Sequence, residues 1–142
     1  MIIQRSGDDA YEEGNTDRVL NQLSGIITEF LRACEILPRT APDGASECPF
    51  SERLWERAFH WRNELQTEIG RAGSHRDDAE RGIQSTQELI RRGSNQWIHL
   101  FGTPPEALAY HQRTLAKIRA KLGEAEKALA TGDARIAERR AS

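Results

Sequence analysis

From Thr16 onward, apolar residues recur at alternating steps of three and four. Leu20, Leu23, Ile27, Phe30, Cys34 and Leu37 form the row, and Val19, Ile26 and Leu31 widen it. That is the period of an α-helix with one buried face. Asn15 or Thr16 offers a cap for the first turn, Asp17 suits the positive end of the helix dipole, and Pro38 stops the run. The pattern predicts a helix over Thr16–Leu37. Met1 to Asn15 lacks such periodicity, is polar and acidic, and reads as a flexible tail, which leaves 16–142 as one helical domain.

The stretch Pro38 to Pro49 holds three prolines and a Pro42-Asp43-Gly44 turn signal, so it reads as an exposed connection. A second helix is expected to open at Ser51, as N-cap, with Phe50 packing back on Trp55 as a hydrophobic staple. Its seam is Leu54, Ala58, Trp61, Leu65 and Ile69, flanked by Trp55 and Phe59. Two signals then conflict. Gly70, Gly73 and the Ser74/Asp77 pair argue for a break and a fresh helix start. Against that, the three-four spacing continues in phase through Ala72, Arg76, Ala79, Ile83, Thr86 and Ile90. A chain that reversed direction would have no reason to keep this register, so the reading is one helix from Ser51 to Arg92, roughly 60 Å long at 1.5 Å per residue. A four-helix bundle with a turn at Gly73 is the alternative.

Gly93, Ser94 and Asn95 end that helix, and Trp97, Ile98, Leu100 and Phe101 are expected to plug the connection that follows. Thr103-Pro104-Pro105-Glu106 is the sharpest local signal in the chain: threonine as N-cap, proline at the first helical position, glutamate closing a capping box. The seam of the last helix, Leu108, His111, Leu115, Ile118, Leu122, Ala125 and Leu129, keeps a heptad register that Gly132 and Ile136 continue. The predicted fold is therefore all-α: a long antiparallel helical hairpin with an additional N-terminal helix, three helices packed in coiled-coil fashion. The distal half of the second helix has few large apolar residues, which predicts self-association, most simply as a homodimer.

Composition changes this picture little. Hydrophobic residues are 37% and charged residues 30% of the chain, a lean core beneath a charged surface, as thin bundles have. A net charge of -2 exerts no global pull on nucleic acid or anionic lipid. No apolar run approaches the ~20 residues that span a bilayer, and no signal-peptide core is seen, so a cytoplasmic protein is expected. Arginine outnumbers lysine by 17 to 3, which points to a GC-rich bacterial or phage genome. Cys34 and Cys48 flank the proline-rich connection; a buried thiol and a loop thiol are the first reading, a disulfide across the neck the second.

The chemistry looked for is mostly missing. The chain has no phosphate-loop lysine after a glycine, no dinucleotide fingerprint, no His-Glu-x-x-His, no Gly-x-Ser-x-Gly, and no glutamate followed three residues later by histidine. No catalytic residue, cofactor or metal is assigned, and the chain reads as a non-enzyme. Glu56, His60 and Glu64 lie one turn apart along one face and could meet a divalent metal, although a solvated face gives the same spacing. His75 beside Asp77 and Asp78 is weaker, and His111 sits in the last seam, where a polar residue can set register. Arg113, Lys117 and Lys121 share a row on the last helix, a basic patch fit for phosphate or for acidic residues of a neighbouring helix. Trp55, Phe59 and Trp61, with Trp97, exceed what one core stripe needs and are the expected partner-binding residues. The expected function is a protein-interaction module, an adaptor, assembly factor or inhibitor. A nucleic-acid-associated regulator using the basic row, and a metal-binding helical protein or enzyme, are the alternatives.

Overall fold

The computed structural model describes residues 15–39 and 49–141. They form three α-helices and, among the described residues, no β-strand: α1 (Asn15–Glu35), α2 (Pro49–Arg91) and α3 (Pro104–Ala141). The protein is all-α, as the periodicity predicts. Helix α2 runs without interruption through Gly70 and Gly73. An alanine at Gly70 would meet nothing within 4 Å, so that glycine serves no turn or close approach, and its cost of ~1 kcal/mol in helix propensity is met by packing on either side.

The helix ends differ from the sequence reading in instructive ways. Pro49 occupies the first turn of α2, where its missing N–H is harmless, so the helix begins ahead of Ser51. The expected Phe50–Trp55 staple involves a side chain outside the described residues. Thr16 is not a cap; it is buried, and its hydroxyl meets Nδ1 of His75 on α2 at 3.1 Å. At α3 the expected start holds. The Glu106 N–H donates to the Thr103 hydroxyl at 3.4 Å, and that hydroxyl donates to the Glu106 carboxylate at 3.0 Å.

Two compact units divide the chain, one of residues 71–121 with the start of α1 up to Leu20, the other of residues 21–70 and 122–142. In the second unit all three helices contribute aliphatic and aromatic mass. Leu23, Phe30, Ala33 and Cys34 of α1, Leu37 just past its end, which falls at Glu35 and not at Leu37 as expected, Ala58 and Leu65 of α2, and Leu122, Ala125, Ala128 and Ile136 of α3 are buried. The Phe30 ring lies directly on Gly132, where a Cβ would sit far inside van der Waals contact with Cε2 and Cζ and 3.0 Å from Cδ2. Glycine is therefore the residue that lets α3 pass over that ring. Arg62 of α2 donates from Nε to Asp133 of α3 at 2.6 Å, and its Nη2 donates to the other oxygen at 3.1 Å. That forked bond fixes the register of two antiparallel segments.

In the first unit the same two helices meet through a different seam. Its buried residues are Ala72, His75, Asp78, Ala79 and Thr86 on α2, and Ala107, His111, Thr114, Leu115 and Ile118 on α3. Most are small or polar. Alanines let helices approach closely, and each polar member needs a partner. Thr86 returns its hydroxyl to the Gly82 carbonyl at 2.6 Å, Asp78 is held by Arg81, and His75 has Thr16. No helix is long and apolar enough to cross a membrane among the described residues.

Candidate functional site

The connection between α2 and α3, in the first unit, is built from the backbone outward. Gly93 adopts φ 72°, and the Ser94 N–H reaches back to the Leu89 carbonyl at 2.9 Å while the Gly93 N–H reaches Ile90 at 3.0 Å. This is the left-handed C-terminal cap that glycine permits. The chain then tightens into a small loop. Ile98 and Gly102 exchange backbone bonds, N–H to carbonyl at 2.7 and 2.9 Å, and the Phe101 N–H donates to Ile98 at 3.0 Å. Closing so short a loop requires positive φ near its apex, and the residue that adopts it, besides Gly102 at 95°, is Leu100 at 70°.

The loop sorts its apolar side chains into two groups. Phe101 turns inward, its ring 4.8 Å from that of Tyr110 and 4.9 Å from that of His111, and Ile98 is half-buried beside it. Trp97 and Leu100 point outward, 69% and 61% exposed. The plug expected from the sequence is thus half a plug: two residues close the end of the hairpin and two are displayed from it. An exposed leucine in the left-handed region is doubly expensive. Its backbone costs roughly 1–2 kcal/mol relative to a helical residue, which glycine or asparagine would largely escape. Neither folding stability nor loop closure accounts for leucine there, and strain of this kind concentrates at functional positions.

The other three aromatic candidates lie in the second unit. Trp55 and Phe59 are half-buried with ring centroids 6.1 Å apart, and the Arg140 guanidinium lies over both, 5.8 Å from the first centroid and 5.0 Å from the second. Such cation–π contacts cover aromatic surface that would otherwise face water. Trp61 is half-buried edge-on to His60 at 5.0 Å. An open groove of about 660 Å³ runs beside them, lined by Phe59, Arg62, Asp133, Ile136, Ala137 and Arg140. Its polar walls are already engaged, Arg62 with Asp133 and Arg140 with the two rings.

In the basic row, Lys117 lies 3.8 Å from Asp17 of α1, Arg113 is exposed and Lys121 is half-buried. The neighbouring Arg119 pairs with Glu80 of α2 at 3.3 Å. Part of this basic charge is therefore offset by carboxylates of neighbouring helices, in exposed pairs that add little to stability. Glu56, His60 and Glu64 are all exposed, and among the described residues no three His, Cys, Asp or Glu side chains converge as metal ligands would. Cys34 is buried against α3, and burial, with the nearby Asp133 carboxylate, pushes its thiol up to about 11. Its pairing with Cys48 lies outside the described residues. His75, 8% exposed, is pushed below the usual imidazole range by burial.

Sequence reasoning named Trp97 both as part of the plug and as a partner-binding residue; its side chain is exposed and does not plug the loop, and Leu100 was not separated from the plug. Gly102, two residues beyond Leu100, was the available signal that the loop turns with positive φ. The contact of Thr16 with His75 spans 59 positions and has no local signature. Compared with known proteins, the chain matches no family model, no curated protein and no solved structure.

Proposed function

We propose that this protein is a non-enzymatic interaction module whose helical hairpin end presents Trp97 and Leu100 to an apolar pocket on another protein. The observation that carries the reading is Leu100, exposed and held at φ 70° in a loop closed by its own backbone bonds. A rigid loop displaying two large apolar side chains binds without first paying to order them, and a tryptophan is the residue type most often found anchoring interfaces.

The surroundings favour a protein pocket over a lipid surface. Arg91 and Arg92 share the single Glu88 carboxylate, at 2.7 and 3.0 Å, which leaves one net positive charge beside the loop, well short of the roughly four or more Lys and Arg that hold a segment to anionic headgroups. The nucleic-acid reading draws less support, because Lys117 is engaged by Asp17. Affinity capture with the wild-type chain and with a Trp97→Ala/Leu100→Asn variant tests the proposal. The variant keeps its helicity and loses the specific partner. Equal recovery of that partner by both chains refutes the role given to the hairpin end.

A further inference from the structure

The seam of the first unit leaves Ile83, Ile90 and Leu108 on one flank, beside the buried Leu115. Between α2 and α3 are mainly alanine, threonine and histidine, with Leu115 and Ile118 the larger apolar exceptions. The start of α1 covers one side of this seam, through Thr16 on His75 and Asp17 near Lys117. On the other side lies a shallow groove of about 370 Å³ lined by Glu80, Ile83, Gln84, Gln87, Leu115 and Arg119. Helical periodicity puts Ile90, seven residues after Ile83, and Leu108, seven before Leu115, on the same flank. Ile83 and Leu108 are half-buried, and Ile90 is exposed at 39%.

Two properties of this flank identify what it fits. The Glu80–Arg119 pair, 3.3 Å apart, sets the antiparallel register in this unit, so Ile83 falls beside Leu115 and Ile90 beside Leu108. Both aliphatic pairs are separated by one heptad, with Gln87 midway. A copy rotated by half a turn therefore brings aliphatic pair onto aliphatic pair whichever ends meet. The flank is also electrically self-matched. Its one acid and one base on the groove, Glu80 and Arg119, sum to zero, so a like surface is not repelled. A surface of one sign would need a foreign partner; this one does not.

We infer that a second copy of this chain covers the Ile83–Ile90–Leu108–Leu115 flank in a two-fold symmetric, coiled-coil-like contact. The inference stands independently of the role proposed for Trp97 and Leu100, since neither residue belongs to the flank. Sedimentation equilibrium of the full chain over a wide concentration range tests it. The wild-type protein forms a reversible dimer, and Ile83→Glu with Ile90→Glu weakens it by at least about tenfold, equivalent to ~1.4 kcal/mol. Trp97→Ala with Leu100→Asn leaves it intact. A second measurement does not depend on the charged variant folding: Gln87→Cys, in a Cys48→Ser background, forms an intermolecular disulfide under mild oxidation because Gln87 lies close to the two-fold axis. A wild-type chain that stays monomeric, a dimer indifferent to the Ile83 and Ile90 changes, a dimer abolished instead at Trp97 and Leu100, or no cross-link at position 87 each overturns the inference.

Discussion

Replacing Gly132 by alanine should destabilise the protein, although the same substitution at other helical glycines should stabilise it. Alanine in place of glycine within a helix gains roughly 1 kcal/mol of propensity, and at Gly25, Gly70 and Gly123 the added methyl meets nothing within 4 Å. Those three variants should each gain between about 0.5 and 1 kcal/mol. At Gly132 the methyl would occupy the space of the Phe30 ring, whose atoms are the nearest neighbours of the ideal Cβ position. Phe30 is 0% exposed and has no free volume to retreat into, so either the ring leaves its rotamer or α3 lifts off α1. Overpacking costs about 1–3 kcal/mol, and an overlap with the ring itself puts this site in the upper part of that range, about 2–3 kcal/mol, above the propensity gain. The net expectation is a loss of roughly 1–2 kcal/mol, so chemically identical changes at Gly132 and Gly123 should differ by about 2–3 kcal/mol. Urea denaturation followed by helical circular dichroism measures the difference directly. Phe30→Leu, itself costly, should relieve much of the penalty in a double-mutant cycle with Gly132→Ala, because the smaller side chain vacates the ring position. If Gly132→Ala stabilises as Gly123→Ala does, the packing of Phe30 on the α3 backbone is wrong.

Further expectations follow from individual groups. Burial lowers the folded-state pKa of His75, so the stability of its neutral form is complete above the unfolded value near 6.5 and is lost as pH falls toward the folded value; the slope is at most ~1.4 kcal/mol per pH unit, and His75→Gln should flatten it in acid denaturation series. Leu100→Asn should raise stability by about 0.5–1 kcal/mol by relieving the left-handed backbone, read as a higher denaturation midpoint; a loss would mean that the leucine side chain is needed for folding. The Cys34 thiol, buried and pushed up to about 11, should resist alkylation in the native protein and react only as fast as the second unit opens, so its labelling rate should rise with urea. Arg62→Ala should cost about 0.5–1 kcal/mol, the partly exposed forked bond to Asp133 being screened by solvent, with most of that cost absent when Asp133→Ala is already present.

The regular part of this fold is legible in the sequence because it rests on repetition. The row from Leu20 to Leu37, and the phase kept from Ile69 to Thr86 across Gly70 and Gly73, depend on many residues agreeing, so no single helix breaker outweighs them. Single-residue signals fared according to whether a competing contact existed. Thr103 has only its own helix to bond and does so; Thr16, equally suited to cap, is drawn away by a buried histidine 59 residues later. The distal seam of α2 was read as Ala72, Arg76, Ala79, Ile83, Thr86 and Ile90; Ala72, Ala79 and Thr86 are buried as expected, but His75 is buried where Arg76 was expected, and Ile83 and Ile90 lie toward the surface, since periodicity does not distinguish the centre of a seam from its edge. The division of the hairpin end into inward and outward side chains escaped for a related reason. Trp97, Ile98, Leu100 and Phe101 are equally apolar, and only the backbone path, set by the Ile98–Gly102 closure, decides which two face inward.

The alanine and threonine seam of the first unit has a consequence for how this chain tolerates change. A core of leucine and phenylalanine is vulnerable to shrinkage, because every lost methylene leaves a void. A seam of Ala72, Ala79, Ala107, Thr86 and Thr114 has little to lose by truncation and no room for growth. Its substitution profile should therefore be inverted. Glycine and serine at these sites should cost about 1 kcal/mol or less, close to their helix propensities, whereas valine, leucine or methionine should force α2 and α3 apart and cost more. Over evolutionary time such a seam drifts among small residues while its helices stay close, and the large side chains that vary freely are the ones on its flanks.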